Sequence, residues 1–185
     1  MFKKISEYKV RDWVVIAMIS AILGVVFTLL DSAYSPLSNL LGPTFISLTF
    51  GLYALSALLP AYIIRKPGAA VVGALIAAVI NILTGSPYGI HIIVAGLLQG
   101  LGTEVGFAIR KYEKYNFISF AFTAVFITIF VSARDYLIFS LSQLTVPLLI
   151  VTLVIRCVSA WIISYVICYL VGKALEKTGL VKFGK

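Results

Sequence analysis

Charged residues are scarce in this sequence. Only 12% of its 185 residues are Asp, Glu, Lys or Arg, whereas 61% are apolar and the mean hydropathy is +1.07. Soluble domains carry about 25% charged residues, so this composition excludes an ordinary soluble domain. It predicts a polytopic membrane protein.

Motifs for catalysis and metal binding are also missing. The chain has one His and two Cys. Cys157 and Cys168 share one apolar run at a spacing typical of no metal or redox motif, and His91 has no carboxylate or Cys at i+4. No Gly-x-x-x-x-Gly-Lys-Ser/Thr, His-Glu-x-x-His or Gly-x-Ser-x-Gly string occurs. We therefore expect no catalytic residue, no metal, no cofactor and no ATP hydrolysis by this chain.

Long apolar runs fill most of the chain and predict a single all-α bundle of six membrane-spanning helices over residues 1–185. About 18 to 20 residues cross a hydrocarbon core about 30 Å thick, and each run is near or above that length. No gap between runs is longer than residues 31–42, which leaves no room for a second domain. The runs are residues 13–30, 43–64, 67–84, 89–109, 117–139 and 146–171.

Positive charges mark one side of the membrane. Thirteen of the fifteen Lys and Arg residues lie outside the runs, and all thirteen are in alternate gaps. Short cytoplasmic loops hold the positive excess, so both termini are predicted in the cytoplasm, with the N-terminus uncleaved, and the protein in the bacterial plasma membrane. The dispersal of these charges over four short segments does not favour nucleic-acid binding. They are Lys3, Lys4, Lys9, Arg11, Arg65, Lys66, Arg110, Lys111, Lys114, Lys173, Lys177, Lys182 and Lys185.

Ionisable side chains inside the runs predict a site. Each costs roughly 2.5 to 3.5 kcal/mol at the centre of a membrane helix, so each needs a partner or a function. Counting along the runs places most of the polar residues in the outer half and Glu104 in the inner half, where we assign it to helix packing or a partner. We predict that the outer residues line a pocket for a small water-soluble ligand. The candidates are Asn81, Tyr88, His91, Gln99, Arg134, Asp135 and Arg156.

An alternative is that Asp31, Arg134, Asp135 and Arg156 form a fixed ion-pair network in a purely structural subunit. Arg134 and Asp135 are adjacent and project about 100° apart, so we expect that they do not simply pair with each other. The gap from Asp31 to Gly42, rich in Ser, Pro and Asn, is predicted to be a loop that closes over the pocket, with Asp31 and Tyr34 as lid residues.

Small residues at four-residue spacing predict close helix contacts. Gly96 with Gly100 and Gly102 with Gly106 make the fourth run a central helix. Ala17 and Ala21 in the first run form an isolated Ala-x-x-x-Ala, and spacing alone favours internal packing over docking of a partner.

Several strings resemble one family. Residues 61–70 (AYIIRKPGAA), 83–89 (LTGSPYG) and 96–104 (GLLQGLGTE), with Asp135 and residues 153–156 (LVIR), are similar to the YkoE family of substrate-binding S components of energy-coupling factor (ECF) transporters. The resemblance implies a six-helix subunit that captures a vitamin outside and works with a transmembrane coupling subunit and two cytoplasmic ATPases. It also implies that Ala17 and Ala21 dock on the coupling subunit.

The resemblance implies a ligand of the hydroxymethylpyrimidine and thiamin class. Where the resemblance leads us to expect a glutamate near the end of the third run, this chain has Asn81. An amide carries no charge, so it favours a neutral ring such as hydroxymethylpyrimidine, or alternatively a pyridoxine-type B6 vitamer, over the cationic thiazolium of thiamin.

Overall fold

The chain folds into helices that pack side by side around a core of small and aromatic residues. The computed structural model describes residues 7–138 and 140–179, so Lys3, Lys4, Lys182, Lys185 and the last residue of the predicted 117–139 run lie outside the described residues. No strand occurs in those ranges. In chain order the elements are α1 (Val10–Ile46), a 3-10 helix (Ser47–Thr49), α2 (Phe50–Tyr53), α3 (Leu55–Ile64), α4 (Ala69–Leu83), α5 (His91–Ile109), α6 (Phe117–Ile138), a second 3-10 helix (Ser140–Gln143) and α7 (Val146–Lys177).

Five helical stretches in the described residues are long and apolar enough to cross a membrane. They are Val10–Leu40, Ser47–Ile64, His91–Ile109, Phe117–Ile138 and Val146–Lys177. The predicted 67–84 run is an apolar helix, Ala69–Leu83, of only 15 residues. It is about 22 Å long, less than the thickness of a hydrocarbon core. Six crossings, and the side of the membrane on which the termini lie, therefore stay predictions.

The predicted loop over residues 31–42 is wrong. Helix α1 continues through this segment and changes direction only at Gly42, whose φ of 79° and ψ of 161° are non-helical. Asp31 is anchored inside the bundle by the hydroxyl of Tyr53, which donates to its Oδ1 at 2.8 Å. Tertiary contacts of this kind override the weak local preference of Ser, Pro and Asn for a loop. The residues proposed as a lid therefore lie on a helix.

Helix α5 packs closely against a neighbour on each side because its glycines face two helices. A Cβ at Gly100 would lie 2.6 Å from the Cα of Val71 on α4, and one at Gly106 would lie 2.5 Å from the Cα of Thr123 on α6. Gly96 and Gly102 make the same kinds of contact with α4 and α6. The small-residue pairs thus place α5 centrally, as predicted from their spacing.

The second predicted run is interrupted near the cavity described below. The 3-10 helix Ser47–Thr49 and the short α2 precede α3, and serines of α7 hold this stretch in place. Ser159 Oγ donates to the carbonyl of Leu48 and accepts from Gly51 N–H at 2.9 Å, while Ser164 Oγ donates to the Gly51 carbonyl at 2.7 Å. Irregular backbone at membrane depth needs such partners.

Candidate functional site

One cavity of about 340 Å³ gathers all of the predicted pocket residues. Its walls come from α1, the segment 46–56, α4, α5, α6 and α7. It lies toward the end of the bundle that carries residues 84–90 and the 3-10 helix Ser140–Gln143. Its volume is in the range of small-molecule sites, roughly 300 to 1,000 Å³. The predicted residues along it are Asn81, Tyr88, His91, Gln99, Arg134, Asp135 and Arg156, together with Asp31 and Tyr34.

Aromatic rings and small side chains supply the apolar part of the wall. Phe27 and Tyr53 pack together with ring centroids 5.4 Å apart, and Tyr34 meets Tyr88 edge to face at 6.3 Å. Ala74, Ala78, Ala95 and Gly96 line another part of the cavity and leave room for a ligand because their side chains are small. Apolar walls with a few placed polar groups are typical of a small-molecule site.

Asp31 presents a carboxylate to this cavity and is only 4% exposed. Three neutral donors bind it: Tyr53 Oη to Oδ1 at 2.8 Å, Asn81 Nδ2 to Oδ2 at 3.0 Å and Ser86 Oγ to Oδ2 at 2.6 Å. Among residues 7–138 and 140–179, no Lys, Arg or His nitrogen lies within 4.0 Å of it.

Asn81 joins α4 to α1 and is 3% exposed. Its Oδ1 accepts from Thr28 Oγ1 at 2.8 Å, and its Nδ2 donates to Asp31. Both ends of the amide are therefore already engaged by α1, which limits what Asn81 can offer directly to a ligand.

A second charged group lies on α6 and α7. Asp135 Oδ1 accepts from Arg134 Nε at 2.9 Å, and Asp135 Oδ2 accepts from Arg156 Nη1 at 2.7 Å. Arg134 and Asp135 do pair, contrary to the angle argument, because the long arginine side chain spans the angle between adjacent positions. The pair is not exclusive, as expected, since Asp135 also binds Arg156. Arg134 also donates to the carbonyl of His91 at 3.1 Å. The expected ion-pair network thus forms from three of its four members and leaves out Asp31.

Arg156 has spare hydrogen-bonding capacity. It is 8% exposed, donates from Nη1 to Ser132 Oγ at 3.1 Å and lies over the ring of Phe50 at 5.1 Å. Its Nε has no partner among the described residues. A buried donor without a partner is costly, so this N–H could bind an acceptor on a ligand.

The remaining predicted residues differ in depth. Gln99 is buried and its Oε1 accepts from Ser56 Oγ at 2.6 Å. His91 is exposed at the start of α5, and Tyr88 is half-buried beside Tyr34. The structure therefore brings Gln99 into the interior and leaves Tyr88 and His91 nearer the surface.

Several polar or aromatic residues of the site were not among the predicted contacts. They include Phe27, Phe50, Tyr53, Ser56 and Ser86. The phenylalanines could not be distinguished in sequence from residues that face lipid. The signal that could have found Ser56 is a hydroxyl in the middle of an apolar run.

Glu104 lies at the opposite end of the bundle, as predicted, and takes no part in the cavity. Its Oε1 accepts from the backbone N–H of Ala70 at the start of α4 at 2.9 Å, and its Oε2 accepts from Tyr112 Oη at 2.7 Å. A carboxylate at a helix N-terminus stabilises that end of the helix. The assignment of Glu104 to helix packing is confirmed. Nearby, burial and the charge of Glu104 raise the pKa of Tyr8 to about 12.

Ala17 and Ala21 lie on an outer face of α1. Ala17 is exposed and Ala21 is half-buried. Neighbouring apolar side chains on the same helix, Met18 and Ile22, are more than 60% exposed. This face is available to lipid or to another protein.

Comparisons with known proteins agree with this architecture. The family model for the permease component of ABC-type cobalt transport systems matches residues 11–130. A protein of Bacillus subtilis (strain 168), "Putative HMP/thiamine permease protein YkoE", is 28% identical over 176 residues, which is 95% of this chain and 88% of that protein. A crystal structure of an S-component of an ECF transporter matches with a TM-score of 0.89 and 29% identity, over 94% of this chain and 88% of that chain.

The fold is therefore that of an ECF transporter S-component, a multi-pass membrane protein of a transport system. The chain belongs to the family of ABC-type cobalt transport system permease components and is a homologue of YkoE. The expectation of an S component, drawn from a few short strings, is confirmed.

Proposed function

We propose that this S component captures a small aromatic vitamin or precursor, of the hydroxymethylpyrimidine and thiamin class, from outside the cell. The observation that carries the proposal is the cavity of about 340 Å³ that combines aromatic walls with Asp31 and the Arg134, Asp135 and Arg156 group. A planar ring fits between aromatic and small side chains, and the polar groups would orient its substituents.

The name of the similar B. subtilis protein supports this ligand class. The family description mentions cobalt, but within the described residues no three His, Cys, Asp or Glu side chains come together as a metal site requires. The donors along the cavity suit hydrogen bonding to an organic ligand better than metal coordination.

The chain would act as one part of a larger importer. It carries no phosphate loop for ATP, so two cytoplasmic ATPases would supply the energy through a transmembrane coupling subunit. The exposed Ala17 and half-buried Ala21 would meet that coupling subunit on α1. Small side chains there allow a partner helix to approach closely. Both termini would lie in the cytoplasm, in a bacterial plasma membrane crossed six times.

Isothermal calorimetry on the purified chain tests the ligand class. We expect submicromolar binding of one of thiamin, hydroxymethylpyrimidine and pyridoxine, at one ligand per chain. Riboflavin is a suitable control because its three-ring system is larger. If none of the three small vitamins binds to a folded sample, the proposal is wrong.

A structural subunit without a ligand is a second candidate function. The ion pairs that Asp135 makes with Arg134 and Arg156 favour it, because buried charges often pair simply to hold helices together. It predicts that substitutions in this group lower stability and alter no ligand affinity. Native mass spectrometry of gently purified protein separates the two, since a retained small molecule in the mass range of a vitamin would contradict the structural role.

A further inference from the structure

The two carboxylates along the cavity have different surroundings. Asp135 contacts two guanidinium groups, at 2.9 Å and 2.7 Å. Asp31 is as well buried but receives only the neutral donors of Tyr53, Asn81 and Ser86. Buried carboxylates are usually paired with a cation. Within the described part of the chain, the protein supplies that cation to Asp135 and not to Asp31.

Asp31 also has an acceptor position left over. A carboxylate offers about four lone-pair sites, two on each oxygen. Oδ2 already receives two hydrogen bonds, from Asn81 and Ser86, whereas Oδ1 receives one, from Tyr53. The Tyr53 hydroxyl donates its hydrogen to Oδ1, and the lone pairs of the Tyr53 oxygen can still accept a hydrogen bond. Two acceptor atoms 2.8 Å apart therefore line the cavity at this point.

Asn81 orients this pair of acceptors. Its amide is held between Thr28 and Asp31, so it turns Oδ2 toward α4 and leaves Oδ1 beside Tyr53. Position 81 thus acts through Asp31. The carboxylate that the resemblance leads one to expect on the third predicted span comes instead from α1.

We propose that Asp31, oriented by Asn81, sets the charge preference of the site and selects a ring whose edge carries paired N–H donors or a positive charge. This inference rests on the proposed function and assigns to Asp31 a direct ligand contact. A donor edge would bind Asp31 Oδ1 and Tyr53 Oη together, because two adjacent N–H groups match two adjacent acceptors. Neutral rings without such an edge would leave the carboxylate without a counter-charge.

The test uses two ligands of nearly equal size. One is hydroxymethylpyrimidine, whose amino group supplies N–H donors and whose adjacent ring nitrogen becomes a second, positively charged N–H donor when it is protonated; the other is the same ring with hydrogen in place of the amino group. We expect the wild-type protein to prefer the amino compound. Asp31→Asn keeps the shape and removes the charge, and we expect its affinity for the amino compound to fall about 10- to 100-fold while the preference is lost. Asp12→Asn is the matched control. It is the same substitution on the same helix, but Asp12 pairs with Lys66 and does not line the cavity.

A second variant covers the case in which Asp31→Asn does not fold. Tyr53→Phe removes one of the two acceptors and keeps the carboxylate, so we expect a smaller loss of the same preference. For Asn81, a double-mutant cycle with Asp31→Asn is informative, because a residue that acts through Asp31 loses its effect once the carboxylate is gone. Additive effects of Asn81→Ala and Asp31→Asn would contradict the orienting role.

The outcomes separate the two proposals. If the wild-type protein binds the amino compound and folded Asp31→Asn or Tyr53→Phe keeps the full affinity and preference, this inference is overturned and the proposed function stands. If the folded wild-type protein binds neither compound nor any other small aromatic vitamin, both are overturned.

Discussion

At the scale of single residues, buried charge decides what the cavity can do. Arg134, Asp135 and Arg156 satisfy one another, while Asp31 depends on neutral donors. The sequence identified all four because ionisable residues inside apolar runs, or next to one as Asp31 is, are rare. Their pairing could not be predicted, since it depends on how α1, α6 and α7 turn their faces toward each other. The pair formed by the adjacent Arg134 and Asp135 shows how far a long side chain can reach.

Replacing Asp135 by Asn removes the carboxylate that both arginines contact. Breaking a buried ion pair typically costs about 3 to 5 kcal/mol, so we expect a markedly lower melting temperature in detergent by circular dichroism. Asp12→Asn serves as the control, because its partner Lys66 and Asp12 itself are partly exposed and such pairs contribute about 0 to 1 kcal/mol. Equal losses in the two variants would contradict the account of the Asp135 group.

The same variant distinguishes the candidate functions. Because Asp135 lines the cavity, the proposed function predicts weaker ligand binding in Asp135→Asn at temperatures where it remains folded. Unchanged affinity would instead favour the structural subunit.

At the scale of helices, the site is positioned by small residues on α5 and by the break in the second predicted run at the 3-10 helix Ser47–Thr49. The Gly96 and Gly100 pair faces α4 and the Gly102 and Gly106 pair faces α6, so α5 holds both walls at short distance. The spacing of these glycines was visible in the sequence. The continuation of α1 past Asp31 was not, because residues that favour loops in isolation are held in a helix here by contacts with other elements.

Gly106→Leu tests the contact between α5 and α6. A Cβ at this position would lie 2.5 Å from the Cα of Thr123, so the helices would have to separate. Overpacking of this kind lowers the free energy of unfolding by about 1 to 3 kcal/mol. We therefore expect a lower melting temperature for Gly106→Leu. Ala108→Leu, an exposed position on the same helix, is expected to change the melting temperature little. Similar stability of the two variants would show that the glycine is not required.

At the scale of the whole molecule, the cavity and most of the basic residues lie at opposite ends. Two basic turns, one with Arg65 and Lys66 and one with Lys111 and Lys114, lie at the helix ends far from Asp31. The segment before α1 is at the same end, because the Tyr8 hydroxyl donates to the carbonyl of Pro67 at 2.9 Å. If the basic end is cytoplasmic, the cavity opens to the outside. Only this orientation suits capture of an external ligand.

Cysteine labelling in intact cells tests the orientation and the number of crossings. Single cysteines at Lys9, Pro87 and Lys114, all exposed positions, would be introduced after Cys157→Ser and Cys168→Ser. We expect a membrane-impermeant thiol reagent to label Pro87→Cys directly, and Lys9→Cys and Lys114→Cys only after permeabilisation. Equal labelling of Lys9→Cys and Pro87→Cys would show that the short helix α4 does not complete a crossing, and reversed labelling would turn the cavity to the cytoplasm.

The sequence by itself determined that this is a multi-pass helical membrane protein, because long apolar runs have no stable alternative outside a bilayer. It also identified ionisable residues that the structure places along the cavity, since such residues are costly in apolar runs. Only the tertiary structure decided that Asn81 supports Asp31, that Asp31 lies on a helix instead of a loop, and that Tyr53 and Ser86 complete its surroundings. These contacts join residues more than twenty positions apart, and their formation depends on how whole helices pack.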